Sequence, residues 1–381
     1  MSSLVPAAGT LSAFGPRESK DLPVSTKTPL TTGLNLDGMS PTAPWEPLGA
    51  GGAVSAPDLD QWTSPMSPIP SDIVRLYTSL RLIRRVEEEI ARIYPSDRIK
   101  SPIHLSIGQE AVSVGVIDTL KPQDIVAASY RCHAAYLAKG GDLPAMMAEL
   151  FGKAAGVAGG KGGSMHLIAP EVNMMGASAV VATQIPLAVG AALTQKMKGT
   201  GAIVAVFLGD GATEEGVFHE SLNFAALHRL PVLFVCENNG YAIHSPLKAR
   251  WATDRLTERV AALGLPVGRV VGGDVFEIRE RSTRFVEDIR RGEGPAFLEV
   301  ETYRWKEHVG PGEDFLAGYR GVSEIDPWIK NDQVPRLGAM LDATLKTEID
   351  GRIETAVAEA IAFAEAAAPP RPEDLFTHVH A

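Results

Sequence analysis

The run IVAVFLGDGATEEGVFHESLNFAALHRLPVLFVCENNGYAIHSP, residues 203–246, constrains the fold of this chain more than any other stretch. Ile203–Leu208 is apolar and branched, short enough for a buried strand. Gly209-Asp210-Gly211 follows, and glycine there lets the backbone turn sharply and approach a ligand closely. Phe218, Leu222 and Ala226 then recur on one helical face. Pro231 breaks that helix, Val232–Val235 reads as a second buried strand, and Glu237-Asn238-Asn239-Gly240 closes it. A strand–helix–strand unit of this length makes its two strands parallel. Parallel strands bring their C-terminal ends side by side, along the edge where ligands bind. Asp210 and Asn239, 29 positions apart, should therefore meet in space. A carboxylate and an amide oxygen on adjacent strand ends form a hard-oxygen site suited to magnesium carrying a phosphate group.

Charge narrows the possible partners. The formal charge is −10, from 36 basic and 46 acidic residues. Nucleic-acid and anionic-membrane surfaces need clustered Lys and Arg, so neither is expected. A bound phosphate must then be neutralised locally, by a metal and a few basic groups. The only cysteines, Cys132 and Cys236, lie in apolar segments and suggest no disulfide framework, which fits a reducing compartment. No apolar run approaches a membrane span, and the N-terminus lacks the layout of a secretory signal. A cytoplasmic protein is expected.

The segment GDGATEEGVFHESLNFAALHRLPVLFVCENNGYAI resembles the thiamine diphosphate enzymes, whose signature is GDG followed about thirty residues later by NN. More narrowly, it is similar to the alpha subunit of the E1 component of 2-oxo acid dehydrogenase complexes, and acetoin dehydrogenase alpha subunits share the pattern. The resemblance runs from about Ile73 to Tyr319 and more faintly to the C-terminus. It implies an α/β fold, a parallel thiamine diphosphate-binding sheet with helices on both faces, followed by C-terminal helices. Residues 1–70 hold 11 of the 27 prolines and read as a disordered or extended arm, with Trp45 and Trp62 as its only contact candidates. Residues 71–330 would form the cofactor-binding domain, and 331–381 a helical segment of that same domain, stopped by Pro369-Pro370.

Order is expected from a cap at Ser71-Asp72, with Ile73, Leu76, Leu80, Ile83, Val86, Ile90 and Ile93 at helical spacing. A second helix is expected over Glu110–Leu120 and a strand over Asp124–Ser129. The resemblance carries site roles onto several positions. His104, before Gly108-Gln109-Glu110-Ala111, would face the substrate, and Tyr130-Arg131 would hold the cofactor diphosphate, with His133 behind them. A guanidinium and a phenol suit phosphate oxygens. Asp210, Asn239 and the main-chain oxygen of Tyr241 would ligate Mg2+, while the amides of Gly211 and Ala212 would meet the diphosphate at the start of a helix. Backbone contacts to the pyrimidine ring would come from Ala179 and Val181, although the family commonly has glycine where Ala179 and Ala182 stand. His308 aligns with a catalytic loop histidine; Val309 follows it, so the phosphorylatable serine of animal pyruvate dehydrogenases has no counterpart. The glycine-rich stretch Gly156–His166 fails the phosphate-loop pattern, because Gly162 follows the lysine, and resembles a flexible entry to the active site. His378 and His380 read as part of a solvated tail.

Decarboxylation of a 2-oxo acid and acyl transfer to the lipoyl domain of an E2 acyltransferase is the implied activity. The pyrimidine-facing glutamate of this family comes from a beta subunit, which implies an α2β2 heterotetramer and an alpha chain inactive alone. Two other readings stay open. One is an acetoin dehydrogenase or transketolase-like alpha subunit, which the unusual loop wording around His308 permits. The other is a non-catalytic scaffold subunit.

Overall fold

The computed structural model describes residues 70–377. The expectations for the N-terminal arm and for His378 and His380 fall outside the described residues. Twelve α-helical segments alternate with strands: α1 (Pro70–Ile93), α2 (Glu110–Ile117), β1 (Ile125–Ser129), α3 (His133–Ala138), α4 (Leu143–Leu150), β2 (Met174–Ser178), α5 (Gln184–Lys198), β3 (Val204–Gly209), α6 (Gly216–Leu227) and β4 (Val232–Asn238). A short hairpin of β5 (Tyr241–Ala242) and β6 (Ser245–Pro246) leads to α7 (Leu247–Arg250) and α8 (Leu256–Ala261). β7 (Val267–Val270), α9 (Val275–Arg290), β8 (Ala296–Glu301), α10 (Asp326–Lys330), α11 (Gln333–Gly338) and α12 (Ala343–Ala366) complete the described order.

Six strands form one parallel sheet in the order β2-β1-β3-β4-β8-β7. The two-residue side-chain period of a strand explains why it is covered on both sides. Along β3, Ala205 and Phe207 enter one core while Val204, Val206 and Leu208 enter the other. β4 repeats this, with Leu233 and Val235 opposed to Val232, Phe234 and Cys236. The first core is closed by apolar stripes of α1, α2, α9 and α12, including Leu80, Val112, Ile278 and Ile353. The second is closed by Ile185 and Val189 of α5, Phe218 and Leu222 of α6, and Val260 of α8. α12 packs on α4 and α1, so the C-terminal helix belongs to the first layer.

Several element boundaries differ from the sequence reading. α1 starts at Pro70, and Asp72 lies in its first turn, where its carboxylate accepts from Arg75 at 2.7 Å. α2 stops at Ile117 and β1 begins at Ile125. β3 is displaced by one residue to Val204–Gly209, and β4 continues to Asn238. On α6 the fully buried small residue is Ala225, with Ala226 at the margin. Among the described residues no helix is long and apolar enough to cross a membrane.

The chain runs from β1 out to β2 at the sheet edge and returns to β3 on the other side of β1. That reversal leaves a crevice beyond the C-terminal ends of β1 and β3, the place where sheets of this kind bind ligands. α2 is held beside it through α9. A Cβ on Gly115 would lie 2.7 Å from Ile278 Cγ2 and 3.1 Å from the Val275 carbonyl oxygen, so the two helices touch backbone to side chain. Gly115→Val should therefore cost about 3 kcal/mol by overpacking; a denaturant midpoint shift with unchanged slope would measure it.

Candidate active site

A cavity of about 260 Å³ occupies the crevice. Ser129, Tyr130 and Arg131 enter it from the end of β1; Gly209–Ala212 from β3; Glu237, Asn239 and Tyr241 from β4 and the hairpin. Val180, Val181 and Ala182 form one wall, and His308 with Ile243 forms the rim. Gly209 pairs with Glu237 in the parallel ladder, which sets Asp210 and Asn239 beyond neighbouring strand ends, as the spacing predicts. Asp210 is 1% exposed. Burial raises its carboxyl above the usual carboxylate range, while the adjoining Arg250 guanidinium pulls the other way. Asn239 donates to Gln109 Oε1 at 3.0 Å and accepts from the Tyr241 amide at 3.1 Å.

Arg131 is buried and donates to the carbonyl oxygens of Leu105, at 2.5 Å, and His308, at 3.4 Å. It thus ties the strand end to both histidine-bearing segments. The rings of His104, Tyr130 and His308 form one group, with centroids 4.5 Å apart for His104–Tyr130 and 5.0 Å for His104–His308. His104 stands behind His308 and Tyr130 rather than on the cavity wall, 6% exposed, and its Nδ1 has no protein partner. Burial, helped by the Arg131 charge, pushes both imidazoles down to about 3. Both are therefore neutral at pH 7 and resist protonation in this enclosed setting.

The loop that carries His308 is held at its two ends by a buried ion network. Arg304 donates to Asp314 at 3.0 Å, to the Tyr319 hydroxyl at 2.7 Å and to the Ile243 carbonyl at 3.0 Å. Arg320 donates to Asp314 at 2.6 Å and to the carbonyls of Arg304 and Lys306. Through the Ile243 contact, the histidine loop is joined to the hairpin that follows Asn239.

Other expected positions sit differently. Ala179 does not line the cavity; its amide donates to His166 Nε2 at 3.4 Å, whereas Val180 and Val181 present their side chains. Ala182 holds φ +64° while buried, a left-handed conformation that costs alanine about 1 kcal/mol more than glycine. That is one of the two positions where the family commonly has glycine. Gly211 and Ala212 belong to a 3-10 turn, Asp210–Glu214, and α6 starts only at Gly216 beyond an extended Glu215. Both residues line the cavity from that tight turn instead of from an α-helix start. Nor is the glycine-rich segment an open entry. Glu149, 1% exposed, accepts from the amides of Ala158, Gly160, Gly162 and Gly163 at 2.7–3.0 Å.

Three residues of the site escaped the sequence reading. Gln109 bonds Asn239, and only its place at the N-terminus of α2 hints at this. Glu237 lines the cavity, and burial pushes its carboxyl up to about 7. Arg250 pairs with both Asp210 and Glu214. No sequence signal singles out the last two.

The donor set fits a magnesium–diphosphate group. Among the described residues no cluster of three or more His, Cys, Asp or Glu side chains is placed to hold a metal. The oxygens available are a carboxylate, an amide and main-chain carbonyls, which favour a hard cation. The Asp210 carboxylate already draws a cation to itself. Gly211 lets the β5–β6 hairpin pack close against this turn, since a Cβ there would come within 2.9 Å of the Ala242 Cβ.

Residues 78–373 match the family described as the dehydrogenase E1 component. The chain is 38% identical over 328 residues to the pyruvate dehydrogenase E1 component subunit alpha of Zymomonas mobilis, covering 82% of this chain and 92% of that subunit. It is 35% identical over 310 residues to the alpha subunit of acetoin:2,6-dichlorophenolindophenol oxidoreductase from Bacillus subtilis, covering 80% and 92%. The corresponding Cupriavidus necator subunit is 37% identical over 316 residues, covering 81% and 94%.

The depressed histidines give the unliganded chain an acid-sensitive stability. The unfolded state takes up a proton near pH 6.5 where native His104 does not until about 3, so this contribution is complete above 6.5 and is lost as pH falls toward 3. From the shift, the loss at pH 4 is about 3 kcal/mol. His104→Gln should flatten that part of the stability–pH curve in urea titrations from pH 7 to pH 4.

Proposed function

As the chain belongs to the dehydrogenase E1 component family, as a thiamine diphosphate-dependent alpha subunit of the pyruvate and acetoin dehydrogenase type, we propose that it decarboxylates a 2-oxo acid and passes the acyl group to a lipoyl group on an E2 acyltransferase. The observation that carries this reading is the convergence of Asp210, Asn239, Tyr130, Arg131 and His308 on one cavity at the reversal point of the sheet.

Thiamine diphosphate, when bound, supplies the carbanion and the electron sink for decarboxylation. The chain's own groups do the rest. Asp210, Asn239 and the Tyr241 carbonyl would hold Mg2+, and Tyr130 and Arg131 would bind the diphosphate. Backbone at Val181, beside the strained Ala182, would contact the aminopyrimidine. His308, which lines the cavity, is placed to take part in the proton transfer that acyl transfer requires. His104 braces His308 and Tyr130 from behind.

The working form proposed is an α2β2 heterotetramer in which the beta subunit supplies the pyrimidine-facing glutamate. Support for a partner lies beside the cavity. Val180, Val181, Leu187 and Met197 around α5, with Phe224 and Leu227 on α6, remain exposed, Leu227 by 73%. Exposed apolar side chains along these two packed helices fit a contact surface for such a partner. Buried free thiols at Cys132 and Cys236 agree with a cytoplasmic setting. Acetoin cleavage is the second reading, supported by the two acetoin-type relatives and by Val309-Gly310-Pro311 after His308.

Asp210→Ala should abolish magnesium-dependent thiamine diphosphate binding in the assembled enzyme, read by calorimetry, with the far-UV spectrum unchanged; unchanged cofactor affinity would sink the site assignment. His308→Ala should keep cofactor affinity and lose acyl transfer by at least a hundredfold, measured as acylation of a free lipoyl domain. A panel of pyruvate, branched 2-oxo acids and acetoin separates the two substrate readings.

A further inference from the structure

Asp210 is not bare in this fold. The Arg250 guanidinium lies between Asp210 and Glu214 and gives one nitrogen to each. Its Nε donates to the Ser245 carbonyl at 3.1 Å, so each of its three nitrogens is engaged within one small region. Trp251 closes the cluster: its Nε1 donates to Glu214 at 2.8 Å, and its ring lies 6.0 Å from the Arg250 guanidinium and 4.8 Å from that of Arg259. A planar fork spanning two carboxylates is a geometry that lysine cannot reproduce.

A guanidinium and a divalent cation on the same buried carboxylate repel each other strongly where the surroundings are dry. The two are alternatives. The backbone between them is strained: Ile243 has φ +55°, a left-handed conformation that a β-branched residue rarely adopts. It sits in the two-residue turn joining β5 to β6, between Tyr241 on the metal side and α7, which ends in Arg250. Strain of this kind concentrates in segments with two arrangements.

We infer that Arg250 is the internal counter-ion of the metal site, neutralising Asp210 in the unloaded chain and leaving it when the metal binds, with the 243–250 segment shifting as it goes. The inference rests on the proposed reading of Asp210 and Asn239 as metal ligands. It makes the apparent metal affinity a difference: the cation must overcome the arginine contact before its own coordination counts.

The test uses the assembled enzyme stripped of metal and cofactor, titrated with Mn2+ at saturating thiamine diphosphate, with free Mn2+ counted by electron paramagnetic resonance. Arg250→Met should tighten Mn2+ about tenfold and lower the melting temperature of the unloaded enzyme by several degrees, because Asp210 and Glu214 are left facing each other. Arg250→Lys should fall between Met and wild type. Emission assigned to Trp251, taken as wild type minus Trp251→Phe, should change on loading. Unchanged or weaker Mn2+ binding in both arginine variants, with Asp210→Ala still abolishing it, overturns the counter-ion and leaves the metal site standing. Mn2+ binding that survives Asp210→Ala overturns the metal site itself. Should Arg250→Met fail to fold, an unmoved Trp251 signal on loading is enough to show that Arg250 stays in place.

Discussion

The hydrogen-bonded ladder between β3 and β4 is the constraint on which the rest of the site depends. Its register ends with Gly209 against Glu237, so β3 stops there while β4 keeps one more residue, Asn238, paired to β8. Asp210 and the Asn239 turn come next, and each other part of the site is placed relative to them. A slip of one residue would turn the alternating core contacts of β3 inside out, exposing Val204, Val206 and Leu208 to the wrong layer. Two filled cores, one on each face, thereby specify where a buried carboxylate will stand.

Around that edge, charge is handled by pairing rather than by exposure. Arg131 answers main-chain carbonyls, Arg304 and Arg320 share Asp314, and Arg250 answers Asp210 and Glu214. The Arg131 and Arg250 contacts join segments far apart in the chain, while the Asp314 pairings close one loop on itself. A net charge of −10 is thus compatible with a phosphate-binding site, because the cations that matter are few and fixed in place.

Much of this was legible in the sequence where the signal was local. GDG and NN each close an apolar run, so the parallel unit and its paired strand ends followed from period and length alone. The Tyr130-Arg131 and His308 positions were reached through family resemblance, and both enter the cavity. What stayed hidden depends on long-range partners. β4 runs on through Glu237 and Asn238 because β8 supplies pairing for both and Glu299 accepts the Asn238 amide at 2.7 Å; local polarity argued for an earlier stop. His104 could not be placed behind His308 without knowing how Arg131 draws the two loops together. Arg250 reaches Asp210 across 40 positions only because the small hairpin folds back.

The Glu149 clasp changes what kind of loop the glycine-rich stretch can be. Its amides converge on one oxygen pair from beneath, and a side chain at Gly156 would come within 2.3 Å of that carboxylate. With its donors turned inward, the segment offers no cradle to an incoming anion and has little freedom to swing. Glycine is used here for compactness, so that a connector can be drawn tight over a buried charge. A stretch that looks like a hinge on paper is drawn instead around one buried carboxylate, outside the lining of the cavity.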